Sequence, residues 1–91
     1  MPISTQQFTI GTATPTLIVA RDVMSQEVLI HNHEHSANSV IYIGNSSVGT
    51  ATGLHARATE TLKLTVGPND ELYAISNTNN VEIHVLRVRQ D

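Results

Sequence analysis

The chain has 91 residues, a formal charge of −3, and neither cysteine nor tryptophan. This length supports one domain with one hydrophobic core, and the absence of cysteine excludes disulfides and thiolate metal sites within these residues. Five lysine and arginine residues are too few for the dense basic face of a nucleic-acid-binding protein. No apolar run approaches the ~20 residues of a membrane span, so we expect neither nucleic acid nor membrane as a partner.

The N-terminal segment, residues 1–15, is polar and rich in threonine. Phe8 and Ile10 are two positions apart and share a face if the segment is extended. The segment is therefore predicted to be either a short edge strand of its own domain or an extended arm that pairs with a neighbouring subunit. Ile3, Phe8 and Ile10 are the predicted subunit or partner contacts, and residues 16–91 are predicted to form a single β-sandwich domain. The segment also lacks the features of a secretion signal, which predicts synthesis in a cytoplasm.

Strands are predicted at residues 16–20, 27–33 and 40–43. The third of these is apolar without alternation and rich in β-branched residues, which is typical of a central strand covered on both faces. Residues 45–57 follow Gly44, contain Gly49 and Gly53 among small polar residues, and are predicted to be a long loop. A loop of this length in a small domain is usually functional or mobile.

The next segment, residues 61–76, is predicted to be a β-hairpin. Leu62, Leu64 and Val66 alternate with polar residues, as a half-buried strand requires. A turn sequence with glycine, proline and asparagine follows at residues 67–70, and a second apolar run completes the pattern.

The last predicted strand covers residues 81–89. Its apolar residues alternate up to Val85, but Leu86 and Val88 then take the opposite phase. A slip of one residue is what a β-bulge produces, so a bulge is predicted near residues 85–86. His84, Arg87 and Arg89 form a modest positive strip, which is interpreted as an exposed strand face; the alternative is contact with an acidic partner surface, for which Arg87 and Arg89 are the candidate residues.

Six or seven strands with turn signals about every ten residues, and no segment of helical period, predict an all-β fold. The expected architecture is an antiparallel β-sandwich or small barrel with a short extended N-terminal arm. Its core must be aliphatic because the aromatic residues are few, and small cores of this kind often gain stability by oligomerisation.

Three histidines, His31, His33 and His35, are the most distinctive polar residues. Residues two apart on a strand lie ~6.6 Å apart on one face, so His31 and His33 could share a metal ion. One strand supplies only two ligands, whereas structural zinc normally takes four. We therefore predict no metal or cofactor site, with a site at His31 and His33 as the alternative.

No catalytic residues are predicted. The chain lacks a Gly-x-Ser-x-Gly nucleophile motif, and the glycine-rich residues 49–53 lack the lysine and helix of a phosphate-binding loop. The protein is therefore expected not to be an enzyme.

The central stretch resembles small virion proteins of tailed bacteriophages. The matching positions are Tyr-Ile-Gly at 42–44, Gly-Leu at 53–54, the apolar strand at 62–66, Leu-Tyr-Ala-Ile at 72–75 and Val-Leu at 85–86. The resemblance implies a non-enzymatic capsid decoration, or cement, protein that binds the major capsid protein on the outside of a phage head and stabilises the lattice. It implies no catalytic residues.

Capsids offer three-fold positions, so a homotrimer on the virion surface is expected. Two alternatives stay open. One is a tail, head-fibre or receptor-binding module. The other is a small metal- or carbohydrate-binding β-domain that uses His31, His33 and the loop at 45–57.

Overall fold

Two antiparallel sheets of four strands each form a β-sandwich in the computed structural model, which describes residues 3–34 and 38–89. The strands are β1 (Ile3–Ile10), β2 (Thr16–Val19), β3 (Gln26–Asn32), β4 (Val40–Gly44), β5 (Leu54–Arg57), β6 (Thr61–Val66), β7 (Leu72–Ser76) and β8 (Val81–Arg89). Sheet A has the order β1-β8-β3-β6, and sheet B has the order β2-β7-β4-β5. The all-β sandwich prediction is confirmed, with eight strands instead of six or seven. None of the described residues forms a helix that could cross a membrane.

The core lies between the sheets and is aliphatic. Strand β3 shows how the chain builds it, because its side chains alternate strictly between buried and half-buried positions. Each buried valine or isoleucine contributes on the order of 1.5–3 kcal/mol by leaving water. The buried core residues are Ile10, Ile18, Val19, Val28, Ile30, Ile41, Ile43, Ala56, Val66, Ala74, Val81, Ile83 and Val85.

The strand missing from the prediction is β5, which lies within the predicted loop at 45–57. It pairs with β4 and buries only Ala56, while its other three residues are exposed. A strand with one small buried residue has almost no alternation to detect. Strand β4 is central, between β7 and β5, but only its Ile41 and Ile43 side is buried. The prediction that both of its faces are covered was wrong.

The predicted hairpin at residues 61–76 was also wrong. Strand β6 pairs with β3 in sheet A, whereas β7 pairs with β2 and β4 in sheet B. The turn at 67–70 therefore carries the chain from one sheet to the other. It is tied to the neighbouring loop between β2 and β3 by the amide of Asn69, which donates to the carbonyl of Asp22 at 2.6 Å.

Strand β8 contains no bulge, contrary to the prediction. Its register with β1 and with β3 is continuous through Val85 and Leu86. The change of apolar phase has another cause, because Leu86 and Val88 point away from the core onto the outer face of sheet A. The register shift among these strands lies instead between Leu17 and Val19, where β2 pairs with β7.

Asn32 joins the end of β3 to the opposite sheet. Its side chain is fully buried, and Nδ2 donates to the carbonyls of Ser39 and Ala56, each at 3.2 Å. Its Oδ1 accepts from the amide of Glu34 at 3.1 Å. These bonds fix the chain on both sides of His33, which belongs to the site described below.

Candidate functional site: the outer face and open edge of sheet A

The outer face of sheet A consists of the side chains that point away from the core. The strand registers place Ile3 beside Val88 and Leu86 beside Leu29 on this face. Ile3 is 65% exposed, and the other three are half-buried. The result is a stripe of apolar side chains that crosses three strands and ends at the β1 edge.

A shallow depression of 550 Å³ lies over part of this stripe. Leu29 and Leu86 contribute apolar side chains to it, Thr5 borders it on β1, and His31 and His84 line it as well. The depression is open to solvent and is therefore not an enclosed pocket.

Strand β1 is an unusual edge strand. Among the described residues it pairs with β8 alone, and residues 3–7 are exposed on both faces. Its eight residues include no charge, no proline and no glycine. The other edges are protected by the usual means: β2 and β5 have four residues each, and β6 carries Lys63.

The predicted contact residues occupy different environments. Ile3 is exposed at the start of β1, Phe8 is half-buried against the core, and Ile10 is fully buried within it. Arg87 is half-buried and borders a small cavity beneath β1. Arg89 lies 3.9 Å from the carboxylate of Asp22. Ile3 thus lies where a second protein could reach it, while Ile10 holds β1 to its own domain.

A cluster of imidazoles and one carboxylate occupies the other end of the outer face. Nε2 of His84 lies 2.7 Å from Oε2 of Glu82, and Nε2 of His33 lies 4.0 Å from the same oxygen. The rings of His33 and His84 are stacked, with centroids 4.3 Å apart and planes 15° apart. We call His33, Glu82 and His84 the histidine cluster.

The sequence pointed to only part of this cluster. His31 lies next to it, with its ring centroid 5.8 Å from that of His33, but its Nδ1 lies 2.9 Å from the hydroxyl of Thr61. His35 lies outside the described residues. Glu82 and His84 were missed because they alternate with core residues on β8, and only the pairing of β3 with β8 brings them to His33. The available signal in the sequence was the spacing of Glu82 and His84 by two residues, which places both side chains on one face of a strand.

Comparisons with known proteins give a likeness in fold. No protein-family model matches the chain, and no curated protein does. A solved chain of the Bacillus endospore appendages, described as a novel family of disulfide-linked pili, is similar with a TM-score of 0.61. The alignment covers 99% of this chain and 87% of that one, at 15% sequence identity. At this identity the likeness establishes a shared fold only.

The resemblance to bacteriophage virion proteins was therefore wrong, since the structural match is to a pilus protein. The physical reason is visible in the fold. Most of the residues that suggested the resemblance lie in β4, β6, β7 and β8 or at the start of β5. Apolar strand residues of this kind are needed by any aliphatic sandwich. Such residues specify a β-fold and do not discriminate among families that share one.

Proposed function

We propose that this chain is a non-enzymatic structural subunit that assembles with copies of itself through the β1 edge of sheet A. The observation that carries the proposal is the edge itself. Eight uncharged residues present one side of their backbone without a strand partner in the described chain. A backbone edge of this kind is a template for another strand.

The proposal also accounts for the small amount of apolar burial at the start of β1. Residues 3–7 are exposed on both faces, so the ladder with β8 holds them with little help from apolar burial. A neighbouring strand would satisfy the free amides and carbonyls of this edge. It would also cover the side chain of Ile3, which is exposed in this domain.

The likeness to a pilus protein supports a role in an ordered assembly, because a sandwich of the same fold occurs in pili. The linkage must differ, however. Those pili are described as disulfide-linked, whereas these 91 residues contain no cysteine. Copies of this chain would be held by backbone hydrogen bonds and apolar contacts.

Attachment to the major capsid protein of a phage head stays an untested prediction, and it now lacks the family resemblance that suggested it. The homotrimer is likewise untested. Pairing of one β1 with another would give a two-fold dimer, whereas pairing of β1 with the β6 edge of the next copy would extend sheet A into a fibre.

The test is to introduce charged side chains on the β1 edge and to measure self-association. The double variant Ile3→Lys/Thr5→Lys places two lysines on exposed positions of β1, where they add repulsion and remove the exposed isoleucine. Sedimentation velocity over a range of concentrations, with electron microscopy of the same samples, should show association of the unmodified protein. We expect association of the variant to be weaker by about tenfold or more.

The matched control is Thr50→Lys/Ala51→Lys, which changes the net charge equally in an exposed loop outside sheet A. It should associate like the unmodified protein. The variant Thr65→Lys on β6 tests whether β1 of one copy pairs with the β6 edge of the next copy. An unmodified protein that stays monomeric at all accessible concentrations, or equal weakening by the loop control, would contradict the proposal.

A further inference from the structure

We propose that the histidine cluster binds a divalent transition-metal ion, with zinc as the ion that fits it best. His33 and His84 offer imidazole nitrogens, and Glu82 offers a carboxylate oxygen. The three ligand atoms all lie within 4.8 Å of one another. Two imidazoles and one carboxylate form a donor set that zinc uses in proteins, whereas calcium and magnesium prefer oxygen ligands throughout.

The distances are close to those that coordination needs. Tetrahedral zinc with bonds of 2.0–2.1 Å places neighbouring ligand atoms about 3.3 Å apart. The present separations from Oε2 of Glu82 are 2.7 Å to His84 and 4.0 Å to His33, one on each side of that value. Small side-chain rotations would therefore bring the three atoms around one ion without moving the backbone.

Hydrogen bonds hold the backbone beneath the cluster. Glu82 and His84 lie on one face of β8, and the amide of His33 donates to the carbonyl of Glu82 at 3.0 Å. The amide of Glu82 donates to the carboxylate of Glu34 at 3.1 Å. Asn32 fixes the chain immediately before His33. Ligands carried by a paired strand framework keep their geometry better than ligands on a free loop.

The cluster leaves a coordination position for solvent or a further ligand. His33 and His84 are each 44% exposed and Glu82 is 34% exposed, so an ion can enter directly from water. Within residues 3–34 and 38–89, the nearest other imidazole is that of His31, whose Nδ1 lies 2.9 Å from the hydroxyl of Thr61. Charged groups near the cluster include Glu34, whose carboxylate accepts a hydrogen bond from the Glu82 amide, and Lys63, which pairs with Leu29 one row away along the sheet. The site is thus a three-ligand site of the open kind.

The experiment is a zinc titration of protein purified without a polyhistidine tag, followed by isothermal calorimetry. We expect one zinc per chain, and a rise in thermal midpoint when zinc is present because the ion binds the folded state. Cobalt substitution should give the visible absorption of a tetrahedral or five-coordinate ion. The stoichiometry is counted per chain and does not depend on self-assembly, so this test can fail or succeed independently of the proposed function.

His84→Ala and His33→Ala each remove one ligand and should weaken zinc binding by about tenfold or more. The two variants guard against misfolding of either one, and circular dichroism without metal checks each fold. The matched control is His55→Ala, an exposed histidine on β5 in the other sheet, which should leave binding unchanged. No zinc uptake by the unmodified protein, or equal loss in the His55 variant, would overturn the proposal.

Discussion

Replacing Asn32 with alanine should destabilise the protein strongly. The buried Asn32 side chain makes three hydrogen bonds, two as donor to the carbonyls of Ser39 and Ala56 and one as acceptor from the amide of Glu34. At about 1 kcal/mol for each bond, the free energy of unfolding should fall by about 3 kcal/mol. Total stabilities are ~5–15 kcal/mol, so this loss is a large fraction. The thermal midpoint should fall by about 12–24 °C in a chain of this size.

The assay is urea unfolding followed by far-UV circular dichroism, because the chain has no tryptophan to report by fluorescence. Protein concentration is held constant, since self-association would add to apparent stability. The matched control is Asn38→Ala, the same substitution at an exposed residue, which should change stability by less than ~0.5 kcal/mol. Asn32→Asp keeps the acceptor but loses both donors and places a charge against two carbonyls, so its loss should exceed that of alanine.

The result that would refute this reasoning is a loss below ~1 kcal/mol for Asn32→Ala with an unchanged dependence on urea concentration. That outcome would mean that water enters the space left by the amide and satisfies the same groups. Water could then replace the hydrogen bonds by which Asn32 joins the two sheets.

Two further predictions concern single positions in turns and loops. Gly53→Ala should lower the free energy of unfolding, measured in urea, by at least about 2 kcal/mol. The residue has a φ of 106°, and a Cβ there would lie 2.6 Å from the carbonyl oxygen of Ile43 and 2.7 Å from Val48 Cγ2. An unchanged free energy of unfolding would show that the loop can move away from these atoms. Ser76→Ala should cost about 1–2 kcal/mol, since the buried hydroxyl lies 3.2 Å from the carbonyl oxygen of Gly11. A melting curve identical to that of the unmodified protein would exclude a structural role for the Ser76 hydroxyl.

The sequence by itself determined the class of fold and the character of the core. Alternation with a period of two is a local property of a strand, so residues 61–66 could be recognised as a strand without any knowledge of its partners. The scarcity of aromatic residues likewise required an aliphatic interior. Both conclusions agree with the sandwich and its core of valine and isoleucine.

Only the tertiary structure decided which strands pair and what their outer faces bring together. Strand β6 has the same alternation whether it pairs with β7 or with β3, so the pattern could not exclude the hairpin. The histidine cluster could not be predicted for the same reason, because only the register of β3 with β8 brings His33 close to Glu82 and His84. Which strands pair depends on the burial of side chains between segments that are distant in the chain. The side-chain period of a single strand is the same for every partner, so it cannot indicate which partner the strand has.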